Sequence, residues 1–184
     1  MKKVIIHPKD PSTEFLKILY SNEEAVTEEI GNGKMRKLLQ SSDEIWLLGH
    51  GSNWGLLNIC SRFGVLNIVG PEHTQFLRDK KVVGVFCNAN EFAERYGLTG
   101  LFTGMIISEM SEALDWNIPT TEEELKQENI LFASNLNNCI KYASDIKEVP
   151  EMMKSYIKET SRPLVRFNYE SVFWIENGET IEKD

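Results

Sequence analysis

Two residues in this chain have the side chains for joint covalent chemistry, and each stands just past an apolar run. His50 lies in Gly49-His50-Gly51-Ser52, directly after Ile45-Trp46-Leu47-Leu48. Cys87 follows Val82-Val83-Gly84-Val85-Phe86 and opens Cys87-Asn88-Ala89-Asn90. A free thiol titrates near ~8.5, and its thiolate is the nucleophile. An imidazole within reach can take that proton and later return it to a leaving group. Backbone N–H groups beside the nucleophile stabilise the oxyanion, by ~2.7–4 kcal/mol per donor in one measured case. Gly51 follows the histidine, and without a Cβ its N–H can approach a substrate carbonyl. The plainer alternative is a strand-end histidine and an inert cysteine, since free cysteines are among the most buried residue types.

For the pair to meet, the two apolar runs must be neighbouring strands of one sheet. Residues 82–86 are almost continuously hydrophobic, as in a central strand covered on both faces. In an open parallel sheet, ligands bind beyond the carboxyl ends of the strands, where His50 and Cys87 would emerge. Upstream, residues 3–6 read as a first strand, ended by Pro8 and Pro11. Ser12 or Thr13 can cap a helix carrying Phe15, Leu16 and Leu19 at helical spacing. Residues 22–30 are acidic and helix-prone, and 34–40 carry Met35, Leu38 and Leu39 as a second helical piece. Between the two site strands, 55–59 and 65–69 flank a loop ending in Gly64 and read as a hairpin around Cys60. Pro71 then opens a short helix to Asp79, with Phe76 and Leu77 inward.

Beyond Cys87, Gly97-Leu98-Thr99-Gly100 reads as a loop. Residues 102–115 read as a long apolar helix with Met105, Ile106, Met110 and Ala113 in its stripe. Glu122-Glu123-Glu124 suits the first turn of another helix, running to about Asp145. Its predicted core face is Leu125, Ile130, Phe132, Ala133, Leu136 and Ile140. A short helix over 150–158 follows, and 163–176 reads as a terminal hairpin. The expected fold class is α/β: a three-layer sandwich around a mostly parallel sheet, with C-terminal helices and a short terminal β-hairpin. No linker divides the chain, so residues 1–184 are expected to form a single domain.

This order of elements resembles the caspase-like cysteine peptidases, the group of caspases, gingipains, legumains and separase. The matching features are the strand at Ile45 to Leu48, His50-Gly51, the hairpin from Gly55 to Val69, the helix from Pro71, and the strand ending in Cys87. The resemblance covers residues 1 to 117. It implies a caspase-like fold and a cysteine hydrolase acting on a peptide or protein substrate, with no cofactor. By resemblance, Cys87 is the nucleophile, His50 the base, and Gly51 with the Cys87 amide the oxyanion donors. Asn88 and Asp10 join them as candidates for oxyanion or substrate binding, since the first strand and its proline-rich loop would lie beside the site. The cysteine follows the histidine by 37 residues, against ~50 in caspases. Where caspases carry Gln-Ala-Cys-x-Gly, this chain has Val85-Phe86-Cys87-Asn88-Ala89. The alternative from another class is a non-catalytic binding or interaction protein that uses the same crevice for a partner.

Other chemistries fit the residues poorly. Net charge is −8, which disfavours binding through a nucleic-acid phosphate backbone. No stretch approaches the ~20 apolar residues of a membrane span, and the apolar start is too short for a signal peptide. The expectation is a cytoplasmic protein without a membrane or nucleic-acid partner. Cys60, Cys87 and Cys139 are an odd number without close pairing, so neither a disulfide framework nor a Cys-x-x-Cys metal site is expected. Gly49-x-Gly51-x-x-x-Gly55 lacks the acidic residue that a dinucleotide loop places after the next strand. A Cys-x5-Arg phosphatase loop would need arginine where Ala93 stands. His7 and His73 are expected at the surface or at strand edges. Glu109 and Glu112 share a helical face, as paired carboxylates or as a polar edge.

Overall fold

The computed structural model describes residues 2–59, 61 and 64–181. Its strands are, in chain order, β1 (Lys3–Ile6), β2 (Glu44–Leu48), β3 (Gly51–Ser52), β4 (Gly55–Asn58), β5 (Leu66–Val69), β6 (Lys81–Val85), β7 (Gly100–Thr103), β8 (Val172–Glu176) and β9 (Glu179–Thr180). The α-helices are α1 (Asn32–Gln40), α2 (Ala89–Tyr96), α3 (Met110–Asp115), α4 (Glu122–Tyr142), α5 (Val149–Lys154) and α6 (Pro163–Glu170). Two longer 3-10 helices, Pro11–Tyr20 and Pro71–Phe76, complete the framework.

The six-stranded sheet has the order β1-β2-β6-β7-β8-β9. β1, β2, β6 and β7 are parallel, and β8 and β9 close the sheet antiparallel. Successive side chains of a strand point to opposite faces. Ile5, Trp46, Leu48, Val83 and Val85 pack on one face with Leu16, Leu19, Phe132, Leu136 and Met153 from the first 3-10 helix, α4 and α5. Val4, Ile6, Ile45, Leu47 and Val82 pack on the other with Met35, Leu39 and Phe92 from α1 and α2. Every residue of β2 is buried, which explains why its sequence does not alternate. The fold is α/β, with helices on both faces of a mostly parallel sheet. A separate three-stranded antiparallel sheet, β3-β4-β5, is formed by the chain that connects β2 to β6.

The expected hairpin between the two site strands is present as β4 and β5, although Cys60 lies outside the described residues. The acidic stretch 22–30 is not helical. It runs beside β1 instead, with Val26 N–H donating to Ile5 O at 2.8 Å and His7 N–H to Val26 O at 3.0 Å. The first 3-10 helix is capped by Asp10 rather than Ser12 or Thr13.

The long helix expected over 102–115 is also absent. Its first residues are β7, then comes irregular chain, and only Met110–Asp115 is helical. Pairing decides this: β7 lies against β6 with Gly100 opposite Val82, where a side chain would strike Val82 O at 2.0 Å. In α4, Ile130 is 46% exposed, and Glu128, Asn129 and Cys139 share the buried side instead.

The terminal hairpin is displaced relative to the reading over 163–176. Residues Pro163–Glu170 form α6, and the hairpin joins β8 to β9 across Asn177-Gly178. Both turn residues have positive φ, 52° and 82°. That is the pattern an Asn-Gly type I′ turn supplies.

Candidate functional site

β2 and β6 are adjacent and parallel, with Leu48 opposite Val85. The Gly49 N–H extends the pairing to Val85 O at 3.1 Å. The next turns release His50 from one strand and Cys87 from the other at the same end of the sheet. Both line one small cavity of about 20 Å³, together with Thr13, Phe15, Leu16, Ile106 and Ser108. That volume suits about one water molecule.

On the histidine side, the proline-rich loop after β1 reaches His50. Asp10 caps the first 3-10 helix by accepting the Ser12 N–H at 2.8 Å. Ser12 Oγ lies 2.6 Å from the same Asp10 Oδ1 and 2.7 Å from His50 Nε2. The direct distance from Asp10 Oδ1 to His50 Nε2 is 3.7 Å, too long for a hydrogen bond, so Ser12 is the bridge. Only 13% of the His50 side chain and 9% of Asp10 is exposed.

On the cysteine side, the thiol faces Ile106 O at 3.5 Å and Glu112 Oε1 at 3.8 Å. The other oxygen of Glu112 accepts the Ser108 and Glu109 N–H groups at 2.7 and 3.0 Å. The carboxylate is therefore locked at the start of α3, aimed at the sulfur. Burial first, and then the negative charge of Glu112, push the Cys87 thiol up to about 12. Both effects disfavour the thiolate. Of the two acidic residues noted on one helical face, Glu112 is the one that touches the cysteine.

Gly51 begins β3, with Gly51 opposite Leu56 and Ser52 opposite Gly55. The Leu57 N–H donates to His50 O at 2.8 Å, so Gly51 occupies the alternate position of the ladder. Its own N–H therefore points away from β4, toward the outer edge of that sheet. Asn88 adopts a left-handed conformation at the start of α2, with φ 61°. Its N–H donates to Gly104 O at 3.1 Å. That ties its main chain to the segment after β7.

Thr103 and Asn168 complete the site without having stood out in the sequence, and Ser12 joins them after standing out only as a possible helix cap. Thr103 Oγ1 donates to Phe86 O at 2.9 Å and accepts the Phe86 N–H at 3.1 Å, pinning the residue before the cysteine. Asn168, fully buried, pairs with both the N–H and the carbonyl of Ile107 at 2.9 and 3.0 Å. It anchors the segment that covers Cys87. For Ser12 a signal existed: Asp-Pro-Ser is a good helix start, with aspartate at the cap and proline in the first turn.

A wider groove of about 710 Å³ adjoins the small cavity and shares Phe15 and Ser108 with it. Glu14, Glu109, Glu122 and Lys126 bring charge to its walls, and Met110 and Leu125 bring apolar surface. Asn129 lines it too; its Nδ2 donates to Ser108 O at 2.9 Å, while its buried Oδ1 meets no donor among the described residues.

The other two histidines, expected at the surface or at strand edges, are both buried, and His7 directly follows the edge strand β1. His7 Nδ1 and Nε2 meet Tyr20 OH at 2.7 Å and Thr13 Oγ1 at 3.2 Å. Burial and the nearby Lys17 lower its pKa to about 4. His73 accepts the Gly70 N–H at 3.2 Å and pairs with Asn32 at 3.2 Å. Among the described residues, no cluster of three metal-ligating side chains could hold an ion. No described helix is long and apolar enough to cross a membrane.

The chain matches no protein-family model and no curated protein sequence.

Proposed function

We propose that this chain is a cysteine-dependent hydrolase of caspase-like architecture acting on peptide bonds, with Cys87 as nucleophile and His50 as proton carrier. The observation that carries the reading is the shared cavity: His50 and Cys87 leave adjacent parallel strands at one end and line it together. In the reaction, the imidazole takes the thiol proton as sulfur attacks the peptide carbonyl carbon. The carbonyl oxygen becomes an oxyanion near the edge N–H of Gly51. Collapse breaks the C–N bond, and the imidazolium returns the proton to the departing amine. Water then hydrolyses the thioester, with the imidazole again as base, and the thiol is restored. The adjoining groove has room for peptide side chains.

On this reading the arrangement around Cys87 is a resting form. Its thiol is neutral and faces Glu112 and Ile106. Turnover requires the sulfur to turn from that carboxylate toward His50, and the small cavity to widen by movement of lining residues such as Phe15 or Ile106. The same neutral thiol favours a second reading: a binding protein that keeps the crevice but does no chemistry.

A fluorogenic peptide library, assayed with the purified chain and with Cys87→Ala and His50→Ala, separates the two. The hydrolase reading expects cleavage that both substitutions abolish. Cleavage surviving in Cys87→Ala, or peptide binding without turnover in the unaltered chain, overturns it.

A further inference from the structure

The hydrogen bonds behind His50 run in one direction only. Asp10 Oδ1 receives the Ser12 N–H at 2.8 Å and lies 2.6 Å from Ser12 Oγ. An ionised carboxylate can only accept, and a serine hydroxyl has a single proton. That proton therefore points to Asp10. Ser12 Oγ, 2.7 Å from His50 Nε2, is left with lone pairs for the ring. The hydrogen of the second bond must come from the imidazole, which puts it on Nε2. A neutral imidazole carries one ring hydrogen, so the lone pair is at Nδ1.

We propose that Asp10 and Ser12 are positioning residues: their hydrogen-bond chain holds His50 in the Nε2–H tautomer and leaves Nδ1 as the nitrogen able to accept a proton. They act through the ring. The importance of the tautomer for turnover rests on the proposed role of His50 as base, but the tautomer itself does not.

The chain is built to be stiff. Asp10 is extended, with φ −149° and ψ 128°, and Pro11 fixes the next φ. The cap bond to Ser12 N sets the distance between carboxylate and hydroxyl. Thr13, the next residue, meets the buried His7 at 3.2 Å. Consecutive residues of one 3-10 turn thus contact two imidazoles. Without Asp10 the Ser12 proton is released and can point to Nε2, which favours the Nδ1–H form. An asparagine keeps an amide oxygen that can receive both Ser12 protons, so it preserves the direction.

The test is nitrogen NMR of the full chain carrying 15N-labelled histidine, with His50 assigned by its loss in His50→Gln. Nε2 couples to both ring carbon-bound protons and Nδ1 to one, so the protonated nitrogen is identified directly. At a pH where the ring is neutral, the unaltered chain and Asp10→Asn should both carry the hydrogen on Nε2. Asp10→Ala should move population to Nδ1–H and lower kcat by about 10-fold or more, with KM changed less. A hydrogen on Nδ1 in the unaltered chain, or an unchanged tautomer in folded Asp10→Ala, overturns the proposal. The unaltered spectrum decides even if Asp10→Ala does not fold. Were the tautomers as expected and Cys87-dependent cleavage absent, the hydrolase reading would fail while the positioning role stood.

Discussion

The ring of Phe86 fills the space that a side chain on Gly51 would need: a Cβ there would sit 2.1 Å from Phe86 Cδ2. The glycine after the histidine and the bulky residue before the cysteine are one packing unit. Phe86 is fully buried, and it also lies against Phe92 at a centroid distance of 6.1 Å. It thus occupies the space that the missing Gly51 side chain leaves open. Gly51→Ala should cost ~1–3 kcal/mol through overpacking. Phe86→Leu in the same chain should recover part of that loss, because the two changes share one contact. Urea midpoints of the two single variants and the double variant check this; strictly additive costs would contradict the shared contact.

Glu112 should control how readily Cys87 reacts. Glu112→Gln removes the negative charge and should lower the apparent pKa for alkylation from about 12, but not to the ordinary value of 9.0, because burial is the larger cause. Iodoacetamide rates against pH, with the site assigned by mass spectrometry, would read the shift. A linked effect falls on stability. The folded thiol stays protonated between pH 9.0 and about 12 while the unfolded one ionises, so this contribution is whole below pH 9.0 and is lost as pH rises.

Thr103 should matter more than its size implies. Thr103→Val keeps the shape but leaves the Phe86 N–H and carbonyl without the hydroxyl they share. One buried unsatisfied group costs ~1–3 kcal/mol. Thermal unfolding should show a loss of that order, and the Phe86 amide should exchange with solvent faster.

His7 should make the fold sensitive to acid. Its pKa falls from 6.5 unfolded to about 4 folded. The stability from its neutral form is present above pH 6.5 and is lost as pH falls to about 4. The full loss is on the order of 3 kcal/mol, from ~1.4 kcal/mol per pKa unit. His7→Gln cannot titrate, so urea unfolding of the variant should depend less on pH across that window. An equal dependence would place the acid sensitivity elsewhere.

Asn168 should hold down the cover over Cys87. Asn168→Ala strips both partners from Ile107 and should free the 104–109 segment. Faster amide exchange at Ile107, together with faster alkylation of Cys87, is the expected result. Faster exchange with unchanged alkylation would show that this segment does not shield the thiol.

By itself, the sequence determined the inner strands and the candidate pair. Continuous apolar runs such as those of β2 and β6 cannot face water on either side, so they had to lie inside a covered sheet, with His50 and Cys87 at their ends. Near neighbours also determined the Asp10 cap and the Asn177-Gly178 turn, since both are set by local backbone chemistry, although neither stood out on reading. Tertiary pairing decided what local pattern could not. The apolar start of 102–115 has helical spacing, yet a strand beside β6 satisfies its backbone and buries both faces. The partners of the site came from the same source. Ser12 reaches His50 across 38 residues and Glu112 reaches Cys87 across 25. The direction of a hydrogen bond and the charge beside a thiol are set by whichever groups the fold brings near, and sequence spacing does not carry that distance.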